Sequence, residues 1–195
     1  MGNARVGHGA RMQFVLVGCA FVIGGIPFGV LIARALGTDI QQHGSGNIGA
    51  TNVTRVLGPI PGAFVLVLDA AKGALPTWFA YHNVADPWIV IATGAAAILG
   101  HCFSPFLEFK GGKGVATTLG VFLVLAPDLI PWALLVFVVI LKVTRVPALG
   151  SLAASAALSG LLLARCDVYS ATLGVGTTLL LLYTHRSNLA KLTRR

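Results

Sequence analysis

MQFVLVGCAFVIGGIPFGVLIARAL, from Met12 to Leu36, decides the fold class. Arg34 is its only charged residue, and it exceeds the about 20 apolar residues an α-helix needs to cross a hydrocarbon core. It is too long for the apolar region of a secretory signal and lacks a clear small-residue cleavage site, so it reads as a retained first span. Further apolar stretches follow at 61–82, 86–105, 113–127, 129–143, 147–165 and 168–184. Seven such stretches predict an all-α polytopic membrane protein, a seven-transmembrane-helix bundle. Pro127 and Pro131 bracket a very short turn, which leaves 113–143 open between two short helices, one broken helix and a partly re-entrant segment. Residues 1–11, with Arg5 and Arg11, are expected to form a disordered extension, and 12–195 a single integral membrane domain.

Composition agrees. The chain is 56% hydrophobic and only 10% charged, against about 25% charged in soluble domains, so it cannot cover a water-facing surface. The net charge of +8 is scattered among apolar spans, which disfavours nucleic acid and favours anionic lipid head groups and phosphorylated small molecules. Cys19, Cys102 and Cys166 lie in apolar sequence without metal-ligand spacing and are expected to be buried inert thiols.

The distribution of charge orients the bundle. With the N-terminus outside, the inner connections carry Arg34, Arg55, Lys110, Lys113, Lys142 and Arg145, and the C-terminal tail adds Arg186, Lys191, Arg194 and Arg195. That is ten of the fourteen Lys and Arg. Arg5 and Arg11 run against this orientation. Gly and Ala are frequent within the spans, as at Gly94 to Ala97 and Ala153 to Gly160, and are expected to let helices approach closely.

Three polar segments fall on the same inner side. GSGNIGATNVTR (Gly44 to Arg55) offers glycine-permitted backbone donors at Gly44, Gly46 and Gly49, side-chain donors at Ser45, Asn47, Thr51 and Asn52, and an Arg fork suited to phosphate. The residues after Gly49 could begin a helix whose N-terminus favours an anion. A plain Gly-rich turn would need far fewer of these groups. GHCFSPFLEFKGGKG (Gly100 to Gly114) places Lys110, Gly111, Gly112 and Lys113 beside His101 and Ser104. It is not a nucleotide P-loop, because Gly114 stands where Ser or Thr would hold a metal and no strand precedes it. An anchoring basic loop is the plainer alternative. HRSN (His185 to Asn188) puts His185 and Asn188 on one face if the helix continues. Asp69 and Lys72, three apart within the second span, suit either a structural ion pair or a cationic pocket floor. His101 suits a buried hydrogen-bonded side chain as well as a functional one. No Cys/His cluster or carboxylate pair supports a metal, and none is expected.

In order and spacing, GSGNIGATN, LDAAKG (Leu68 to Gly73), GHCFSPFLEFKGGKG and HRSN resemble the PlsY-type acyl-phosphate:glycerol-3-phosphate acyltransferases of bacteria. The resemblance covers the chain from about residue 12 and does not include the basic N-terminal extension. It implies a seven-helix bundle in the bacterial cytoplasmic (inner) membrane, with the C-terminus and active site cytoplasmic. The implied reaction moves a fatty acyl group from acyl phosphate to the 1-hydroxyl of sn-glycerol 3-phosphate, giving lysophosphatidic acid and inorganic phosphate, the first acylation of phospholipid synthesis. The implied partners are these two substrates and membrane lipids, with no cofactor, nucleic acid or obligate protein partner. Carried onto this chain, the catalytic residues are Ser45, Arg55, Lys113, His185 and Asn188. Gly44, Gly46, Asn47, Thr51, Asn52, Lys72, His101, Ser104, Lys110, Gly111 and Gly112 complete the expected binding set. No His is followed by Asp five residues on, so the His-x4-Asp pattern of soluble-type glycerol phosphate acyltransferases is absent. Direct transfer by positioning two anions is expected, with an acyl-Ser45 intermediate as the rival. A small transporter of a phosphorylated solute is the alternative function, and a structural membrane subunit a third.

Overall fold

The computed structural model describes residues 3–192, which are helical throughout apart from turns and loops, with no strand among them. The helices are α1 (Asn3–Gly25), α2 (Phe28–Ala35), α3 (Ala50–Leu57), α4 (Pro59–Asn83), α5 (Pro87–Cys102), α6 (Val115–Leu125), α7 (Ile130–Thr144), α8 (Pro147–Ala164), α9 (Val168–Thr184) and α10 (Arg186–Leu192). Residues 1 and 2 of the expected extension, and Arg194 and Arg195 of the basic tail, lie outside the described residues. Helix α1 starts at Asn3, well before Met12.

Five segments are long and apolar enough to cross a membrane: Met12–Ala35, Pro59–Asn83, Pro87–Leu107, Pro127–Thr144 and Pro147–Ala164. Val115–Leu125 and Val168–Thr184 are shorter apolar helices. All seven expected spans therefore correspond to apolar helical segments, two of them short. In the 113–143 region, α6 and α7 are separate helices joined by a 3-10 turn at Pro127–Leu129. With 11 residues, α6 extends roughly 17 Å, about half of a 30 Å hydrocarbon core. Its first residues, Val115 and Ala116, border a cavity at that end of the bundle.

The first span is not the continuous helix expected from Met12 to Leu36. It breaks at Ile26 and Pro27, because proline has no N–H to continue the ladder and its ring crowds the preceding turn. The carbonyls so released are taken up by distant side chains. The Ser104 hydroxyl donates to Gly25 O at 2.6 Å, and Lys72 Nζ donates to Ile26 O at 2.7 Å. Proline breaks survive at membrane depth when neighbouring elements satisfy the freed groups in this way.

Small residues set the closest helix crossings. A Cβ on Gly24 would overlap the backbone of Ala97 and one on Gly100 that of Phe21, which brings α1 against α5. Gly73 against Thr117 and Gly120 against Ala70 do the same for α4 and α6. Phe122, Ile98, Leu162 and Leu173 fill the core between α5, α6, α8 and α9. A second cluster of Val30, Ile40, Val53 and Val65 supports α2, α3 and the start of α4. The outward surface is apolar, with Phe14, Phe64, Leu135 and Leu179 exposed, as a lipid-facing surface requires. Cys102 is buried as expected, but Cys19 and Cys166 are exposed, and all three are free thiols. Cys19 lies on α1, where a lipid-facing surface accepts an apolar thiol as readily as a core does, and Cys166 sits in the α8–α9 connection between Arg165 and Asp167.

Candidate active site

A cavity of about 770 Å³ opens at the end of the bundle where the α2–α3, α5–α6 and α7–α8 connections meet the junction of α9 with α10. All three polar segments border it.

The first segment is organised by Asn52, on α3 and only 2% exposed. Its Oδ1 accepts from the Ser45 N–H at 2.8 Å, while Nδ2 donates to His43 O at 3.0 Å and Asn47 O at 2.9 Å. Gly44 and Gly46 take positive φ of 62° and 71° to make this turn. Asn47 Oδ1 accepts from the Gly49 N–H at 2.9 Å just before α3 begins at Ala50. The start of α3 therefore faces the cavity through Ala50 and Thr51, where helix N–H groups favour an anion. Ser45, Asn47, Asn52 and Arg55 also line the space. Gly44 and Gly46 shape the turn without lining it.

The second segment closes over the end of α5. Gly111 N–H donates to Cys102 O at 3.0 Å and Gly112 N–H to His101 O at 2.9 Å. These two amides therefore already have protein partners, and neither glycine lines the cavity. Lys113 does line it, and its Nζ donates to Asn188 Oδ1 at 2.6 Å. Lys110 stands on the surface beside Glu108 at 3.4 Å, outside the cavity. Lys72 and Ser104 are committed to the broken first span and do not border the cavity either. His101 borders it, as does Asp69.

In the third segment the helix does not run on unbroken. Residue 185 terminates α9, and α10 begins at Arg186. The i, i+3 relation survives, because the Asn188 N–H donates to His185 O at 2.8 Å and both residues line the cavity. His185 Nδ1 lies 2.9 Å from Leu181 O. A carbonyl only accepts, so Nδ1 carries the proton and Nε2 keeps a lone pair. Burial holds the pKa below the ordinary histidine value, and the nearby Lys113 ammonium pushes it the same way, against the bond to Leu181. His185 is thus a neutral hydrogen-bond acceptor beside two donors.

The cavity has residues that sequence reasoning passed over. Arg145 lines it from the α7–α8 connection, in left-handed backbone at φ 56°. In the sequence it counted only as an orienting charge. Ser151, Ala154 and Ser155 line it from α8, where small residues signalled helix packing. The lining continues along α7 and α8 as an apolar wall that includes Ile130, Leu134, Phe137 and Leu158.

A polar, cationic recess runs into an apolar groove between membrane-length helices, and the class is an all-α membrane protein. A sequence model described as "Glycerol-3-phosphate acyltransferase" matches residues 14–195, and the chain belongs to that family. The glycerol-3-phosphate acyltransferase of Myxococcus xanthus is 50% identical over 190 residues, covering 94% of this chain and 97% of its own. That of Geobacter sulfurreducens is 45% identical over 185 residues, covering 92% of this chain and 93% of its own. Among solved structures, the glycerol 3-phosphate form of PlsY, an integral membrane glycerol 3-phosphate acyltransferase, superposes with a TM-score of 0.91 at 37% identity, covering 94% of this chain and 92% of that one. The lysophosphatidic acid form of PlsY superposes with a TM-score of 0.89. This chain is therefore an integral membrane protein. The extension before residue 14 lies outside the family match.

Proposed function

We propose that the chain is a glycerol-3-phosphate acyltransferase that uses acyl phosphate as donor and releases lysophosphatidic acid and inorganic phosphate. The observation that carries this reading is the meeting of Arg55, Lys113 and Arg145 in one cavity that continues into an apolar groove. Two dianionic substrates demand several cations, and only one of the substrates carries a long apolar chain. The corner formed by Lys113, Asn188 and His185 takes glycerol 3-phosphate. Arg145, at the head of the apolar wall of α7 and α8, takes the donor phosphate with its acyl chain running along that wall. Ser45, Asn47 and the start of α3 orient the acyl group between them, and Arg55 spans the two phosphates.

In the reaction, the 1-hydroxyl oxygen of glycerol 3-phosphate attacks the acyl carbonyl carbon. An ester C–O bond forms, the carbonyl-carbon to phosphate-oxygen bond breaks, and phosphate leaves. His185 Nε2 accepts the hydrogen bond of the attacking hydroxyl, and the proton ends on the departing phosphate. The mixed anhydride already has a good leaving group, so orientation and charge neutralisation supply most of the rate. The site faces the cytoplasm, where both substrates are charged and soluble at one end, and the N-terminus lies outside.

The test is product formation by the purified full-length chain in lipid vesicles. Lysophosphatidic acid and phosphate should appear in equal amounts only when acyl phosphate and glycerol 3-phosphate are both present, and acyl-CoA should not replace the donor. Equal turnover with acyl-CoA would refute the donor assignment. Rapid-quench labelling with radioactive acyl phosphate separates direct transfer from an acyl-Ser45 intermediate: trapped acyl-protein would end direct transfer.

A further inference from the structure

Asp69, Lys72 and His101 form a buried polar cluster that transfer chemistry itself does not require. Each is only 2–3% exposed. Lys72 Nζ lies 2.8 Å from Asp69 Oδ1, and His101 Nδ1 lies 3.7 Å from the same oxygen. At one end the cluster is tied to the helix break, where Lys72 donates to Ile26 O at 2.7 Å. At the other end it lies directly under the glycine loop. The Gly112 N–H donates to His101 O at 2.9 Å, and a Cβ on Gly112 would overlap Nε2 of the His101 ring. The next residue is Lys113, whose ammonium reaches Asn188 at 2.6 Å.

Capping the break does not explain the charges. A neutral hydroxyl, Ser104, caps the adjacent carbonyl of Gly25 at 2.6 Å. Burying an ammonium and a carboxylate at membrane depth is costly, and such groups are kept for a use. The carboxylate pairs with the lysine, the imidazole stands 3.7 Å from it without a hydrogen bond, and the ring sets how closely the loop can approach α5.

We propose that Asp69, Lys72 and His101 are positioning residues: a strut between the broken first span and the glycine loop that sets where the Lys113 ammonium stands in the cavity. The proposal rests on the reading of Lys113 and Asn188 as the glycerol 3-phosphate corner. A displacement of about 1 Å at a reacting geometry can cost about 10²-fold in rate.

The experiment measures both KM values, kcat and thermal unfolding for Asp69→Asn and His101→Gln in the full-length chain, in vesicles, with acyl phosphate and glycerol 3-phosphate. Asp69→Asn removes the central charge. His101→Gln leaves the Asp69–Lys72 pair intact and removes only the ring beneath Gly112, so it serves if the first variant does not fold. The expected result is a KM for glycerol 3-phosphate raised roughly 10- to 100-fold, with the KM for acyl phosphate within about twofold of wild type. Unchanged KM values in a folded variant, or equal changes in both, would overturn the proposal. Unfolding of both variants would assign the cluster to stability alone and overturn it equally. A wild-type chain that makes no product from these substrates refutes the acyltransferase reading itself, and the strut falls with it.

Discussion

The two ends of the bundle each hold an ion pair, and the pairs do opposite things. At the end away from the cavity, the Arg165 guanidinium meets the Asp128 carboxylate in a bidentate contact at 3.1 and 3.0 Å, with both side chains about half exposed. It joins the turn after α6 to the end of α8, where the connections are short. At the cavity end, Lys72 and Asp69 face each other at 2.8 Å with almost no exposure, and their other contacts reach a helix break and a loop. Water and counter-ions screen the first pair, so it adds little to stability and nothing to chemistry. The second pair is almost fully buried and far less screened, so each partner depends on the other. The contrast shows why polar residues in a membrane bundle must be judged by depth and by what they hold, and not by charge alone.

The largest effect expected from breaking this contrast is on stability. Lys72→Met leaves Asp69 buried without its partner and should cost about 3–5 kcal/mol, read by thermal unfolding in a fixed detergent. A loss near zero would place water at Asp69. Next comes Arg55→Ala, which should leave unfolding unchanged, since Arg55 is exposed at the cavity. It should lower kcat/KM by about 10²- to 10³-fold, the scale of removing one preorganised charge-stabilising donor. Retained turnover would remove Arg55 from the site.

A smaller effect concerns pH. His185 has a folded pKa below its ordinary value of 6.5, so the neutral ring that accepts the substrate hydroxyl persists as pH falls through 6.5. Activity should therefore hold to below pH 6.5 and decline only on the acid side of it. Substrate phosphates also titrate near about 6. His185→Gln removes the histidine contribution and keeps theirs, so the difference between the two pH–rate profiles isolates the ring. A histidine limb above pH 6.5 would contradict the assignment. The same depressed pKa makes the folded chain bind fewer protons than the unfolded one, so this group lowers stability as pH falls through the ordinary histidine value. The smallest effect is that of Arg165→Ala, no more than about 1 kcal/mol with unchanged turnover. A larger loss would mean that the far end is less open to solvent than its exposure indicates.

Much of the fold is legible because lipid imposes a simple rule of apolar length. The spans expected at 61–82, 147–165 and 168–184 correspond closely to Pro59–Asn83, Pro147–Ala164 and Val168–Thr184. The break at Pro27 escaped notice because hydropathy runs straight through it. What makes the break tolerable lies 46 and 79 residues away, at Lys72 and Ser104. In the sequence Lys72 is an ionisable group within a span and Ser104 belongs to a polar loop segment, and the structure ties both to backbone carbonyls at the break. Ser45, Arg55 and Lys113 stand in glycine-rich, donor-rich segments that hold more than a turn needs, His185 and Asn188 are more than a basic tail needs, the family resemblance singles out all five, and the cavity brings them together. Arg145 and Ser151 carry no such local signal. They reach the same cavity only through the packing of α7 and α8 around a short α6, which no stretch of neighbouring residues records.

The central claim is that three distant segments share one membrane face and one cavity. Its most direct measurement is side-specific thiol labelling in oriented vesicles, with the three native cysteines replaced and single cysteines placed at Ser45, Lys113 and His185. All three positions should react with an impermeant reagent from the same side, and a fourth placed at Arg165 should react only from the other. Labelling of any of the first three from the side that labels position 165 would contradict the account.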